Sequence, residues 1–335
     1  MAETRPLSRP KIAVINDVAG VGVLQAQILN RGGYQADFID LPKPGAAWPS
    51  WAKWLIMPVR LARYVPTVLR LRRADYDWLH IHYTSQGFIG LIAGKPYFLH
   101  VHSSDMFDTL PVWLRRLTRA RARGIFYVTP ELIDDLREFR GKSYLLPNPL
   151  EPAFLTPTTI PPQLQKVLIF TRLYLVKGPD EIFGVAAELS KCVSLTAISW
   201  GPLTVQYRRD HGSIVRFIDR VPHGQVLSLL ERFDAVIGQM RSGVLGLSEL
   251  EAMARGRVVF MNVDESLYGD DPPPVISVSK GTALVAAVRR LHQNPDEMVR
   301  LGNAGREWVL RHHGHDGYLR MLRRVYETSL GTFAE

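Results

Sequence analysis

Short apolar runs alternate with stretches of helical spacing along the whole chain, and one proline-dense segment interrupts them. No other feature limits the fold as much. Lys11–Ile15, Gln35–Ile39, Trp78–His82 and residues 97–102, 125–128 and 143–146 read as strands. Helical patterns separate them, as from about residue 21 to 30, where Gly32-Gly33 ends the run. Strands alternating with helices build βαβ units around a parallel sheet. Pro147, Pro149, Pro152, Pro157, Pro161 and Pro162 then break the rhythm, as a linker does. It restarts with strands at 167–171, 193–198, 215–217, Ala235–Ile237 and 258–260. Helices are expected at 180–189, 224–232 and 247–255, and a mostly helical tail from 282 to about 330. The expected organisation is a first Rossmann-like domain over 1–150, a linker over 151–165 and a second such domain over 166–315. A last helix over 316–335 is expected to pack back toward the first domain. Two such domains facing each other leave a cleft, and ligands of these sheets bind beyond the carboxyl ends of the strands.

Composition narrows the function classes. The 335 residues suit two domains at ~150 residues each. No apolar run approaches the ~18 residues of a membrane-spanning helix, and no apolar stretch precedes Lys11, so no secretory signal is expected. Cys192 is the one cysteine, which excludes an intrachain disulfide and suits a reducing, cytoplasmic setting. The net charge of +9 is lopsided: +8 falls in residues 1–150 and +1 in the remainder. The first half is therefore expected to meet something anionic.

Several residues can carry chemistry. Arg172 and Lys177 lie on a loop directly after a strand, with Asp180 placed to cap the next helix. Two cations on one loop suit a diphosphate whose leaving charge must be stabilised; solvated surface cations are the plain alternative. Residues 242–256 form a small-residue loop opening a helix, where first-turn amides and the helix dipole favour an anion. Glu251 lies about one turn in and can accept hydrogen bonds from sugar hydroxyls, or serve as a salt-bridging surface acid. Gly20-x-Gly22 fits a phosphate approach and a tight turn equally well, and no dinucleotide fingerprint follows it. His80 and His82 share a sheet face with His100 and His102 on the next strand. No metal is expected there, since strand interiors make poor open sites. His102 is the better candidate, at a strand's carboxyl end, to exchange protons with a ligand. His312, His313 and His315 read as a polar helix end.

These segments, in this order, resemble the retaining glycosyltransferases of family 4, which have the two-Rossmann GT-B fold. The likeness spans about residues 11–310. It is carried by the opening strand with Asn30-Arg31-Gly32-Gly33-Tyr34, by 77–82 and 95–105, and by Leu146-Pro147-Asn148-Pro149-Leu150. Arg172 with Lys177-Gly178, Trp200-Gly201-Pro202, Val221-Pro222-His223 and residues 247–256 complete it. The resemblance implies a nucleotide-sugar donor, with Arg172 and Lys177 on its diphosphate and Glu251 on the ribose. It puts Gly20, Gly22, Gly201, Pro202, Gly243, Gly246 and Leu247 along the donor, and His102 near the reacting sugar. The acceptor, a saccharide or lipid-linked saccharide, falls to the first domain. No cofactor or metal is implied, because the cationic pair takes the metal's place. One departure matters: the family's Glu-x7-Glu motif ends at Glu251, and its first glutamate is replaced by Gly243. That substitution keeps open a non-catalytic GT-B subunit that binds a partner enzyme or a glycan. A nucleotide-sugar epimerase of the same fold fits the linker and the Arg172/Lys177 spacing less well.

Residues 48–73 and 110–124 combine tryptophans and aliphatics with eleven Lys and Arg and no acid. That mixture suits a peripheral position on the inner, anionic face of a membrane, or two amphipathic helices with solvated arginines. Nucleic acid is the lesser partner class, as no recognised binding module is present.

Overall fold

The structure is a computed structural model and describes residues 9–42, 57–102 and 111–330. Two compact units divide the chain: Met1–Pro149 with His315–Glu335, and Leu150–Gly314.

Unit 1 holds a six-stranded, all-parallel sheet. Its strands are β1 (Lys11–Ile15), β2 (Gln35–Ile39), β3 (Trp78–His82), β4 (Tyr97–Val101), β5 (Gly124–Tyr127) and β6 (Ser143–Leu145). Their spatial order is β2-β1-β3-β4-β5-β6. The helices are α1 (Val21–Arg31), α2 (Met57–Arg73), α3 (Phe88–Ala93), α4 (Val112–Arg121) and, from the end of the chain, α13 (His315–Leu330). A 3-10 segment, Pro130–Lys142, had no expectation in the sequence. Alternation along the strands builds two cores. Ala13, Ile15, Leu79, Ile81 and Leu99 face Tyr64, Val68 and Leu71 of α2, with Ile89 of α3. Ile12, Val14, Trp78, Phe98 and Phe126 face Leu24 and Ile28 of α1, with Leu322 and Tyr326 of α13.

Unit 2 repeats the plan. Its strands are β7 (Lys166–Ile169), β8 (Ser194–Ser199), β9 (Arg216–Asp219), β10 (Ala235–Ile237), β11 (Val258–Met261) and the short β12 (Ile276–Ser277). They are parallel, in the order β12-β11-β10-β7-β8-β9. Its helices are α5 (Pro152–Leu155), α6 (Pro179–Phe183), α7 (Ala186–Leu189), α8 (Thr204–His211) and α9 (Val226–Leu230). They continue with α10 (Leu247–Ala254), α11 (Gly281–His292) and α12 (Pro295–His313). Leu150 and Phe154, in the proline-dense stretch, are buried in the core of this unit.

Three local expectations are corrected. Strand β4 ends at Val101, so His102 lies just past it. The helix expected over 180–189 is two short helices, since Val185 between them leaves helical ψ. Asp180 does not cap: Gly178 holds the N-cap with φ +69°, and Asp180 in the first turn pairs with Arg241.

Strand order locates the ligand end of each sheet. In unit 1 the chain leaves β1 for β2 on one side and returns to β3 on the other. In unit 2 it runs β7-β8-β9 outward and returns to β10 on the far side of β7. The carboxyl ends of β1 and β3, and of β7 and β10, are therefore topological switch points, where connections diverge and leave a crevice.

Candidate active site

In unit 2 the loops after β7, β8 and β10 are tied together. Leu173 N–H donates to Trp200 O at 2.6 Å, and Leu203 N–H donates to Leu173 O at 3.2 Å. Gly201 permits that approach: its φ is +130°, and a Cβ there would lie 2.5 Å from Leu173 O. Met240 N–H donates to Lys177 O at 2.8 Å, and Lys177 Nζ donates to Ser242 Oγ at 3.2 Å. Arg172 is exposed beside the Tyr174 ring, 5.8 Å from its centroid. Among the described residues neither Arg172 nor Lys177 is ion-paired. Arg241, which no motif singled out, bridges the junction by donating to Leu175 O at 2.9 Å and pairing with Asp180. Pro202 lies on the turn leading into α8.

The helix start at α10 is more committed than its sequence suggests. Gly246 N–H donates to Glu249 Oε2 at 3.1 Å, and Gln239 N–H donates to Glu249 Oε1 at 3.0 Å. Glu249 is thus a buried internal acceptor, and the Gly246 amide is already engaged. Leu247 opens the helix, where first-turn amides lack helical acceptors. Gly243 sits at φ +72° and bridges to Val263, with Asp264 N–H donating to Gly243 O at 2.9 Å. Position 243, where the resemblance expects a glutamate, is therefore a left-handed turn, which an L-residue occupies only under strain.

Glu251 is buried and accepts from His223 Nε2 at 2.6 Å, while His223 Nδ1 lies 3.3 Å from Glu151. Burial raises the Glu251 carboxyl to about 7, against the opposing pull of His223. Burial lowers His223, but its bond to Glu251 and the two nearby carboxylates outweigh that, so its net shift is upward. The pair can share one proton near neutrality.

In unit 1, Asp17 holds the turn after β1. Gly20 N–H donates to Asp17 Oδ2 at 2.8 Å and Gly22 N–H to Asp17 Oδ1 at 2.9 Å. Gly22 is needed for space, since a Cβ would meet Asn16 O at 2.4 Å. Asn16, Ala19 and Tyr83, the three non-glycine residues with positive φ among the described residues, all lie at the carboxyl ends of β1 and β3. Such strain costs roughly 1–3 kcal/mol per residue and gathers at functional sites.

His102 lies beside them, buried, with Nε2 3.0 Å from His82 Nδ1 and the Tyr83 ring against it. Burial lowers its pKa to about 3, with Asp17 opposing. Behind it the imidazoles form a chain. His80 Nε2 lies 3.2 Å from His100 Nδ1, and His80 Nδ1 lies 2.7 Å from the Tyr326 hydroxyl on α13. His82 stacks on His100, and His100 on His102. Potential ligand nitrogens of His80, His82 and His100 lie within 4.8 Å of one another. Of these three rings only His82 and His100 stack, while His80 meets His100 edge-on. Neutral imidazoles, each with one donor and one acceptor, fit the His80–His100 and His82–His102 pairs, while the buried Nε2 of His82 has no hydrogen-bond partner among the described residues. The late histidines are structural: His312 Nε2 is 2.7 Å from Asp271 Oδ2, and His313 is buried.

Ser103, Ser104, Asp105 and residues 48–56 lie outside the described residues. Among the described residues no helix is long and apolar enough to cross a membrane.

Two six-stranded parallel α/β units in one chain, similar over almost their whole length to solved glycosyltransferase structures, give the chain the GT-B fold. Residues 27–154 match the family pattern of Glycosyltransferase Family 4. Sucrose-phosphate synthase (tll1590) from Thermosynechococcus elongatus is similar in structure, with TM-score 0.71 and 16% identity over 96% of this chain and 99% of that one. A glycosyltransferase from Rickettsia africae gives TM-score 0.71 and 12% identity over 97% and 99%. Anabaena HepE, solved with UDP and glucose, gives 0.69 and 12% over 96% and 100%. At these identities the likeness is one of fold. No curated protein matches the chain.

Proposed function

We propose that the protein transfers a sugar from a nucleotide-sugar donor to a saccharide or lipid-linked saccharide acceptor, with retention at the anomeric carbon. One observation carries this reading: Arg172 and Lys177, free of ion pairs among the described residues, sit on loops pinned together at the β7/β10 switch point. The bond from the anomeric carbon to the diphosphate oxygen breaks, and its electron pair stays on the nucleoside diphosphate. Arg172 and Lys177 stabilise that growing charge, so they act on turnover as well as binding. The acceptor hydroxyl forms the new bond. Its proton goes to the departing diphosphate, because His102, with a pKa of about 3, is too weak a base to hold it near neutrality. His102, bonded to His82 through Nε2, stands instead as a neutral ring near the reacting sugar. Glu251, already bonded to His223, meets the ribose as one partner of a proton-sharing pair. HepE has been solved with UDP and with UDP-glucose, which favours a uridine donor here. The single cysteine supports a cytoplasmic setting.

Thermal-shift titration against UDP, GDP, ADP, dTDP and CMP and their sugars tests this reading. One nucleotide should raise Tm selectively, and Arg172→Ala should abolish the rise and cost at least about tenfold in kcat/KM. A normal rate in that variant removes Arg172 from the site. Gly243 favours a second reading, a non-catalytic subunit that binds a partner enzyme or a glycan. That reading gains if no nucleotide shifts Tm.

A further inference from the structure

Helix α2 carries a second, exposed apolar stripe beside the one it buries. Tyr64, Val68 and Leu71 face the core, while Leu61, Val65 and Leu69 form a second stripe at four-residue spacing that lies exposed. An amphipathic helix of a water-facing surface keeps its outer side polar. Helix α3 packs beside α2, and α4 beside α3, and both expose apolar side chains: Ile92 of α3, and Val112 and Trp113 of α4, each 67% exposed. Trp113 and Val112 also line a shallow depression with Leu117 and the stem of Arg116.

Charge specifies the occupant. Within α2 and α4 and on to residue 124 there is no acidic residue. Two arginines of α4 are held by acids of the 3-10 segment, Arg116 by Glu138 and Arg119 by Asp135. Arg63, Arg70, Arg72, Arg73, Arg121 and Arg123 remain exposed, without ion pairs among the described residues. A second copy of the chain would set this patch against itself and bring like charges together. A nucleic acid would use the arginines and leave the aliphatic stripe unexplained. An anionic bilayer surface uses both, with apolar side chains entering the headgroup–acyl boundary and arginines reaching lipid phosphates.

We propose that the outer face of α2, α3 and α4 docks on an anionic lipid bilayer. The face also lies at a useful end of the sheet. Because α4 is the crossover helix between the parallel β4 and β5, it runs back against the strands, so Val112 and Trp113 at its start lie toward the carboxyl end that carries His102 and the Asn16–Gly20 turn. Resting on the transferase reading, this placement assigns the acceptor to the lipid-linked class, presented at that end of unit 1.

Co-sedimentation of the full chain with vesicles tests the surface without using turnover, so its failure leaves the donor-site reading intact, and the reverse. The protein should pellet with phosphatidylcholine vesicles containing about a quarter phosphatidylglycerol, and not with phosphatidylcholine alone. About 0.5 M salt should weaken the binding. Val112→Ser with Trp113→Ser, and separately Arg121→Gln with Arg123→Gln, should each weaken it by about tenfold with Tm unchanged, since these side chains are exposed. No pelleting overturns the proposal, as does pelleting that ignores the Val112/Trp113 change. A stable dimer that those two substitutions dissociate, or RNA binding that outcompetes the vesicles, overturns it too.

Discussion

At the scale of single residues, protonation sets the behaviour of the site. Burial holds His80, His82 and His100 well below the ordinary histidine pKa, and His102 at about 3. The native state refuses protons that the unfolded chain accepts below about pH 6.5. Their neutral-state stability is present above that pH and is lost as pH falls. Each proton taken up on unfolding steepens the loss by about 1.4 kcal/mol per pH unit. Urea titrations at about pH 7.5, 6 and 5 should therefore show falling stability with an uptake of several protons; a flat profile contradicts burial of the four rings. Glu251 has the opposite sign. Its folded pKa, about 7 against 4.5, means its stabilising contribution is full below 4.5 and declines as pH rises to about 7. Glu251→Gln mimics the protonated form. It should raise Tm relative to the parent at about pH 8 more than at about pH 5, and an equal change at both removes the shifted carboxyl.

At the scale of elements, two glycines with positive φ separate space from strain. Gly201 has both against it: a φ of +130°, and Leu173 O only 2.5 Å from where a Cβ would sit. Gly201→Ala should cost at least about 1–3 kcal/mol and weaken donor binding, because the loop carrying Arg172 must move. Gly243 has open space, with the nearest atom, Asp264 Cβ, at 3.5 Å, and only φ +72° to oppose substitution. Gly243→Glu should therefore fold, at a cost of about 1–2 kcal/mol, and it places a carboxylate where the resemblance expects one. Tm and nucleotide affinity measured on both variants check the contrast. Comparable Tm losses in the two would show that the Leu173–Gly201 contact does not constrain the junction.

At the scale of the whole molecule, the last helix belongs to the first unit. Tyr318, Leu322, Val325 and Tyr326 of α13 are buried in the same core as Trp78, Phe98 and Phe126. Four buried side chains at about 1.5–3 kcal/mol each amount to roughly 6–12 kcal/mol, similar to the total stability of an ordinary domain. A chain ending at Gly314 should lose the fold of unit 1 and keep that of unit 2. Limited proteolysis read by mass spectrometry checks this: a protected fragment near 150–314 is expected, and equal protection of both units would refute it.

Periodicity and turn residues by themselves determined the two α/β units and most strands to within a residue or two, because a parallel sheet buried on both faces demands continuous apolar runs. They also marked the Arg172/Lys177 loop, since a βα loop is local in sequence. Asp17, three residues ahead of Gly20, is a local signal of the same kind for the turn it holds. Other features had no local signal. Glu251 meets His223 across 28 residues, and His80 meets Tyr326 across 246. Arg241 joins the cationic loop only because β10 lies beside β7. Whether Gly243 is a lost carboxylate or a required turn depends on its φ, which no pattern of residue types carries. Tertiary structure decided these points because burial, proton sharing and loop contacts arise between segments that the chain itself keeps apart.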